Sequence, residues 1–272
     1  LESSFGITPL ASGIAMMFVT ALVILGGVKS IGRAASVVAP IMIILYFFAG
    51  VVILVVQREL LGEALRTIFR SALSPPAAVG GFAGATLAQT VRVGIARGIF
   101  SNESGLGSSP IAAAAAQTND PVRQGLVSMT QTFLDTLVVC SVTGLAIVLT
   151  GTWQSGATGS ELTLKAFQQS LGAAGTWIVP ISLVLFAYST ILGWSYYGEK
   201  AVEYLGGIGP ARAYRWIFCG FVLIGSLGKL EVVWSLADIL NALMAFPNLI
   251  ALLALSPVVV RETRRYCGSP PA

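Results

Sequence analysis

The chain of 272 residues is 55% hydrophobic and only 10% charged, with a mean hydropathy of +0.83. Ordinary soluble domains carry about 25% charged residues, so this composition excludes one and points to an all-α, multi-span bundle in a lipid bilayer. The net charge of +4 is no signal for nucleic acid, because the basic residues are scattered at span ends rather than gathered on one face. Histidine is absent, and Cys140, Cys219 and Cys267 are far apart, which rules out a zinc site or a His-based catalytic triad within these residues. There is no signal-peptide pattern, and a start at Leu1 without methionine reads as a piece of something longer.

A span needs roughly 20 apolar residues to cross about 30 Å of hydrocarbon. In chain order the candidates are Pro9–Val28, Val37–Val56, a broken stretch from Gly81 to Ala116, Leu126–Leu149, Trp177–Tyr197, a short Trp216–Leu227 that must borrow flanking residues, and Val232–Val260. Residues 58–74 are an amphipathic interfacial segment, with Leu61, Leu65, Ile68 and Phe69 at helical spacing and Ser74-Pro75-Pro76 as its stop. Residues 151–175, polar and rich in Gly and Thr, read as an external loop, and 261–272 as a cytoplasmic tail. With one crossing per span, Lys29, Arg33, Arg123, Lys200, Arg212, Arg215, Arg261, Arg264 and Arg265 all fall on one side. The positive-inside bias puts that side, and the C-terminus, in the cytoplasm. Arg58, Arg66, Arg70, Lys165 and Lys229 fall on the other.

The third span departs most from membrane composition. Between apolar flanks it reads Phe100-Ser101-Asn102-Glu103-Ser104-Gly105-Leu106-Gly107-Ser108-Ser109-Pro110. Irregular backbone at membrane depth survives only where protein or water satisfies its freed N–H and C=O groups. Secondary transporters build substrate and ion sites from such discontinuous helices; a polar loop between two short spans is the plainer alternative. Arg92, Arg97 and Glu103 flank or enter this segment, and either an Arg neutralises Glu103 or the two arginines line a wet vestibule. Asp135 lies beside Thr132 and Thr136 on one helical face, as part of a cation pathway or of an Asp–Arg pair. Asp238 and Asn241, followed by Pro247-Asn248, read as helix–helix hydrogen bonding. In Phe186–Tyr197 the adjacent hydroxyls of Ser189 and Thr190 offer hard oxygens, and Trp194 lies one turn beyond Thr190; small-residue packing with an interface-belt tryptophan accounts for the same residues.

Several runs together resemble the alanine or glycine:cation symporter family of prokaryotic amino-acid transporters. They are Gly26-Gly27-Val28-Lys29-Ser30-Ile31, Ala78–Thr86, Ala96–Ser108, Pro121–Leu126, Thr190–Lys200 and Leu236–Asn241, in order along nearly the whole chain. Ser104 is a small departure, alanine being more usual there. The resemblance implies the leucine-transporter-type inverted-repeat fold, with this chain covering about helices 4 to 10 as one transporter domain, 1–272, and a broken helix near residues 98–107. It also implies that the first broken helix is missing, so that the chain alone does not transport. Implied too is sodium-coupled symport of alanine or glycine into the cell across a prokaryotic plasma (inner) membrane. On that basis Gly98, Phe100, Ser101, Asn102, Thr190 and Trp194 are expected to line the substrate. The Phe186 carbonyl with the Ser189 and Thr190 hydroxyls are expected to hold sodium. Asp135 is a weaker candidate for cation coupling, and Gly105 and Gly107 give backbone freedom. No cofactor is expected beyond the coupling ion, sodium or alternatively a proton. The partners are the amino acid, the ion, the bilayer and the remaining N-terminal helices of the same transporter. A channel-like or structural membrane subunit is the rival class, but no ring of repeated charge supports a pore. An intramembrane enzyme built on Ser108 or Ser109 lacks any histidine or lysine partner within a plausible span.

Overall fold

The computed structural model describes residues 5–73, 82–228 and 230–268, and all regular structure among them is helical. The chain divides into two compact units, residues 1–77 with 140–229 and residues 78–139 with 230–272.

In the first unit, α1 (Pro9–Ile24) starts where Thr8 Oγ1 accepts from Ala11 N at 3.3 Å and Pro9 supplies a preset φ. Gly27 turns the chain into α2 (Val28–Val56), which runs on through Pro40. A 3₁₀ turn (Arg58–Leu60) leads into α3 (Leu61–Leu73), whose apolar side packs on α7 (Ser141–Leu149), with Ala64 buried. Then come α8 (Gly159–Leu171), α9 (Ala173–Gly206) and α10 (Ile208–Leu227). α10 packs on α1, and α9 packs on α2, α8 and α10. Ile24, Ile31, Tyr188, Leu192 and Cys219 form a buried cluster drawn from α1, α2, α9 and α10. Tyr46 of α2 stacks on Phe167 of α8 at 5.3 Å, and its hydroxyl shares a hydrogen bond with Thr143 of α7 at 2.7 Å.

The second unit holds α4 (Phe82–Asn102), the short α5 (Ser109–Ala113), α6 (Pro121–Thr132) and α11 (Leu230–Gly268). Asp120 caps α6, its Oδ1 accepting from Val122 N at 2.9 Å and Arg123 N at 3.1 Å, ahead of Pro121. Between α6 and α7 the helix loosens into a π-helical stretch, Phe133–Cys140.

Among the described residues four helices are long and apolar enough to cross a membrane: Val28–Val56, Pro121–Leu149, Ala173–Gly206 and Val232–Gly268. Pro9–Ile24 is apolar but shorter. The expected third and sixth spans form helices, Phe82–Asn102 and Ile208–Leu227, but neither is among those four.

Three boundaries differ from the sequence expectation. The break falls at 103–108, and Gly98–Asn102 form the last turns of α4, because Ser101 and Asn102 still accept helical geometry and the first left-handed residue is Glu103. Residues 151–175 are not simply a loop: α8 lies within them, with Leu164, Ala166 and Phe167 buried, the first and last at helical i, i+3 spacing. The tail is helical through Gly268, as α11 continues past Arg261, Arg264 and Arg265. The stop at 74–76, Lys229 and residues 269–272 lie outside the described residues.

Candidate functional site

The break in the second unit is built from left-handed backbone. Glu103 (φ 54°), Gly105 (φ 80°) and Gly107 (φ 84°) reverse the chain after α4, and Glu103 is the one described non-glycine residue in that region. Such a conformation costs an L-residue roughly 1–2 kcal/mol and persists only where surroundings enforce it. Here they do. Ser108, 1% exposed, donates its Oγ–H to Glu103 Oε2 at 2.8 Å. Asn248 of α11 donates through Nδ2 to the Gly105 carbonyl at 3.0 Å. A Cβ at Gly107 would meet the Asn248 side chain at 3.1–3.3 Å. One side chain thus satisfies and crowds the unwound segment.

The turn of α4 before the break carries the expected substrate residues. Ser101 Oγ donates to Asp135 Oδ2 at 2.6 Å, and Asn102 Oδ1 accepts from Thr136 Oγ1 at 2.7 Å. Asp135 and Thr136 both lie in the π-helical stretch, where the backbone widens to i→i+5 bonding, a distortion common at functional sites. Phe100 sets its ring edge-on to Trp234 at 5.5 Å. Arg97 lies over the same indole at 4.3 Å and pairs with Asp238, Nη2 donating at 2.7 and 2.8 Å. Gly98 completes this turn with open space where a Cβ would stand.

Of the two expectations for Arg97 and Glu103, neutralisation of one by the other is not what forms: Asp238 takes Arg97, and Ser108 takes Glu103. Asp135 accepts from a hydroxyl, Ser101. Of the residues read as helix–helix hydrogen bonding, Asp238 bonds to Arg97 of α4, while Asn248 reaches the broken backbone itself. Trp234 escaped sequence reasoning, although it stands one helical turn before Asp238 on the same face of α11.

The first unit holds the other candidates, on α9. Ser189 Oγ donates to the Phe186 carbonyl at 2.9 Å and lies 3.5 Å from Met42 Sδ of α2. Two of the three expected sodium ligands are therefore adjacent, though a cation there would require the Ser189 hydroxyl to turn its proton away. Phe186 also meets Tyr46 edge-on at 5.6 Å. Thr190 is exposed, and Trp194, one turn on, is half-buried with its ring edge-on to Tyr197 at 5.9 Å. No group of three or more His, Cys, Asp or Glu that could hold a metal occurs among the described residues.

Long apolar helices, an enforced helix break, and a π-helical distortion bonded to the turn before that break mark a multi-pass membrane protein. Comparison with known proteins narrows the class. A model of the sodium:alanine symporter family matches residues 1–270, and the chain belongs to that family. It is 50% identical over 270 residues to the sodium/alanine symporter AgcS of Methanococcus maripaludis, covering 98% of this chain and 58% of the relative. An uncharacterized transporter of Haemophilus influenzae is 49% identical over 268 residues, 98% of this chain and 59% of that protein. The amino-acid carrier protein AlsT of Bacillus subtilis is 30% identical, covering 98% of the chain and 56% of the relative. The chain thus spans less than two thirds of the length of these curated relatives.

Proposed function

We propose that the protein carrying this sequence is a secondary active transporter that moves small neutral amino acids, alanine or glycine, into the cell together with sodium. The observation that carries this is the enforced break at 103–108 in a chain of the sodium:alanine symporter family. An amino-acid zwitterion at mid-membrane needs donors for its carboxylate and acceptors for its ammonium, and a broken helix supplies both from freed backbone ends. Gly98, Phe100, Ser101 and Asn102 line the substrate; Trp194 limits the side chain admitted, and Thr190 borders it. The Phe186 carbonyl with the Ser189 and Thr190 hydroxyls receives sodium. The Asp135 carboxylate, which accepts from Ser101, is a second candidate for cation coupling. The chain covers only 58% and 59% of the two relatives named first, and helices outside it are taken to complete the site, so the 272-residue stretch alone is expected not to transport. The C-terminus is cytoplasmic.

Uptake of radiolabelled alanine into proteoliposomes, with and without an inward sodium gradient, tests the assignment on the intact protein. Accumulation only with sodium is expected, and uptake indifferent to sodium removes the coupling ion. Ser189→Ala with Thr190→Val is expected to raise the sodium concentration for half-maximal uptake several-fold, roughly the loss of one or two polar contacts. An unchanged sodium dependence moves the cation site away from α9.

A further inference from the structure

One end of the first unit collects unpaired positive charge around protruding apolar side chains. Lys29 and Arg33 open α2, Arg212 and Arg215 open α10, and Lys200 lies near the end of α9. The guanidinium of Arg215 lies 3.5 Å from where a Cβ of Gly27 would stand, which brings the start of α10 to the start of α2. Two of these cations are neutralised: Arg215 by the buried Glu199 at 2.6 and 2.9 Å, and Lys200 by Glu203 at 2.7 Å. Lys29, Arg33 and Arg212 are exposed and have no ion pair among the described residues. Neither α2 nor α10 has an acidic residue in its first turn to offset them.

The same end carries Tyr204 and Leu205, 90% and 83% exposed, which exceed every other large hydrophobic among the described residues, and Ile208, three residues beyond Leu205, is 70% exposed. α9, at 34 residues, is about 51 Å long, well beyond a hydrocarbon core of ~30 Å. At least one end must leave the hydrocarbon, and the charged Glu199, Lys200 and Glu203 mark the C-terminal one. Water would be a poor solvent for Tyr204, Leu205 and Ile208, and hydrocarbon a poor one for Lys29, Arg33 and Arg212. The headgroup layer of an anionic leaflet suits both sets, since it offers phosphates to the cations and acyl chains to the apolar tip.

We propose that the α9–α10 turn and the start of α2 form a docking surface for anionic phospholipid, in which Lys29, Arg33 and Arg212 hold the headgroup phosphate while Leu205 and Ile208 enter the acyl region. The proposal rests on the membrane placement of the chain and not on the solute it carries. Its occupant is a lipid, because a free anion gains nothing from the apolar tip.

Native mass spectrometry of the intact protein in detergent, with phosphatidylglycerol or phosphatidylcholine as probe, is the test. The wild type is expected to retain phosphatidylglycerol preferentially, and Lys29→Gln, Arg33→Gln and Arg212→Gln to lower retention by roughly fivefold each. The charge-keeping set Lys29→Arg, Arg33→Lys and Arg212→Lys is expected to retain it. Should the triple Gln variant fail to fold, the single variants Lys29→Gln and Arg212→Gln carry the same expectation. Equal retention of both lipids by the wild type, or unchanged retention in the single Gln variants, overturns the proposal. Displacement of phosphatidylglycerol by millimolar inorganic phosphate also overturns it, in favour of a free-anion site.

Discussion

Gly105 and Gly107 have nearly the same left-handed φ, 80° and 84°, but different neighbours, and this lets strain be separated from crowding. At Gly105 a Cβ would meet nothing within 4 Å, so Gly105→Ala costs only the backbone conformation, about 1 kcal/mol. At Gly107 a Cβ would also press on Asn248 at 3.1–3.3 Å, the residue whose amide holds the Gly105 carbonyl. Gly107→Ala is therefore expected to cost about 2–3 kcal/mol in total, combining the backbone strain with a weakened hydrogen bond. Thermal unfolding in detergent checks the order: Gly107→Ala must melt below Gly105→Ala, and equal melting would mean that Asn248 yields freely. The polar residues of this site were legible in the sequence as residues that lipid would reject, but their partners were not. Arg97 had two carboxylates within plausible reach, Glu103 near in sequence and Asp238 far away. The distant one forms because α4 and α11 share Trp234, which stacks under Arg97 and beside Phe100.

At the scale of elements, the α9–α10 hairpin is fastened by an ion pair that hydropathy alone would argue against. Glu199 is 6% exposed, and its two oxygens accept from Arg215 Nε and Nη2 in a bidentate arrangement. Removing one partner leaves a charge with little access to water, whereas removing both does not. Glu199→Gln is expected to destabilise the protein by about 2–3 kcal/mol, below the range for a fully buried pair because the Arg215 side chain remains 25% exposed. Glu199→Gln combined with Arg215→Met is expected to recover most of that loss. A double-mutant cycle on melting temperature decides, and additive losses would show that the pair contributes nothing as a pair. Most helices were legible because membrane spans are marked by long apolar runs, and their ends extend further because charged residues continue the helix past the apolar run, as Arg261–Gly268 do. α8 was obscured by its polar composition: only Leu164, Ala166 and Phe167 bury a face, too few to stand out among Ser, Gln and Gly. The π-helical stretch has no sequence signature at all, since Phe133–Cys140 reads as ordinary apolar helix around one aspartate.

At the scale of the whole molecule, the chain crosses between its two units at 77/78, 139/140 and 229/230, and the middle crossing lies inside the π-helical stretch. The elements beside the expected substrate turn and those carrying the expected sodium ligands thus belong to different compact bodies, each with its own packing. The sidedness proposed above rests on the positive-inside bias, by which Arg261, Arg264 and Arg265 are expected in the cytoplasm. The three cysteines make this testable without adding a tag. Cys219 is buried in the cluster of Ile24, Tyr188 and Leu192, whereas Cys267 is exposed at the end of α11. In the intact protein with Cys140 and every cysteine outside these 272 residues replaced by alanine, a membrane-impermeant maleimide is expected to leave Cys267 unlabelled in intact cells and to label it once the cells are opened. Cys219 should stay unreactive until the protein is denatured, because the thiol must leave a packed core to meet the reagent. Labelling of Cys267 in intact cells would invert the topology. It would also move Lys29, Arg33 and Arg212 to the outer leaflet, if α11 and the α9–α10 turn keep the same number of crossings between them.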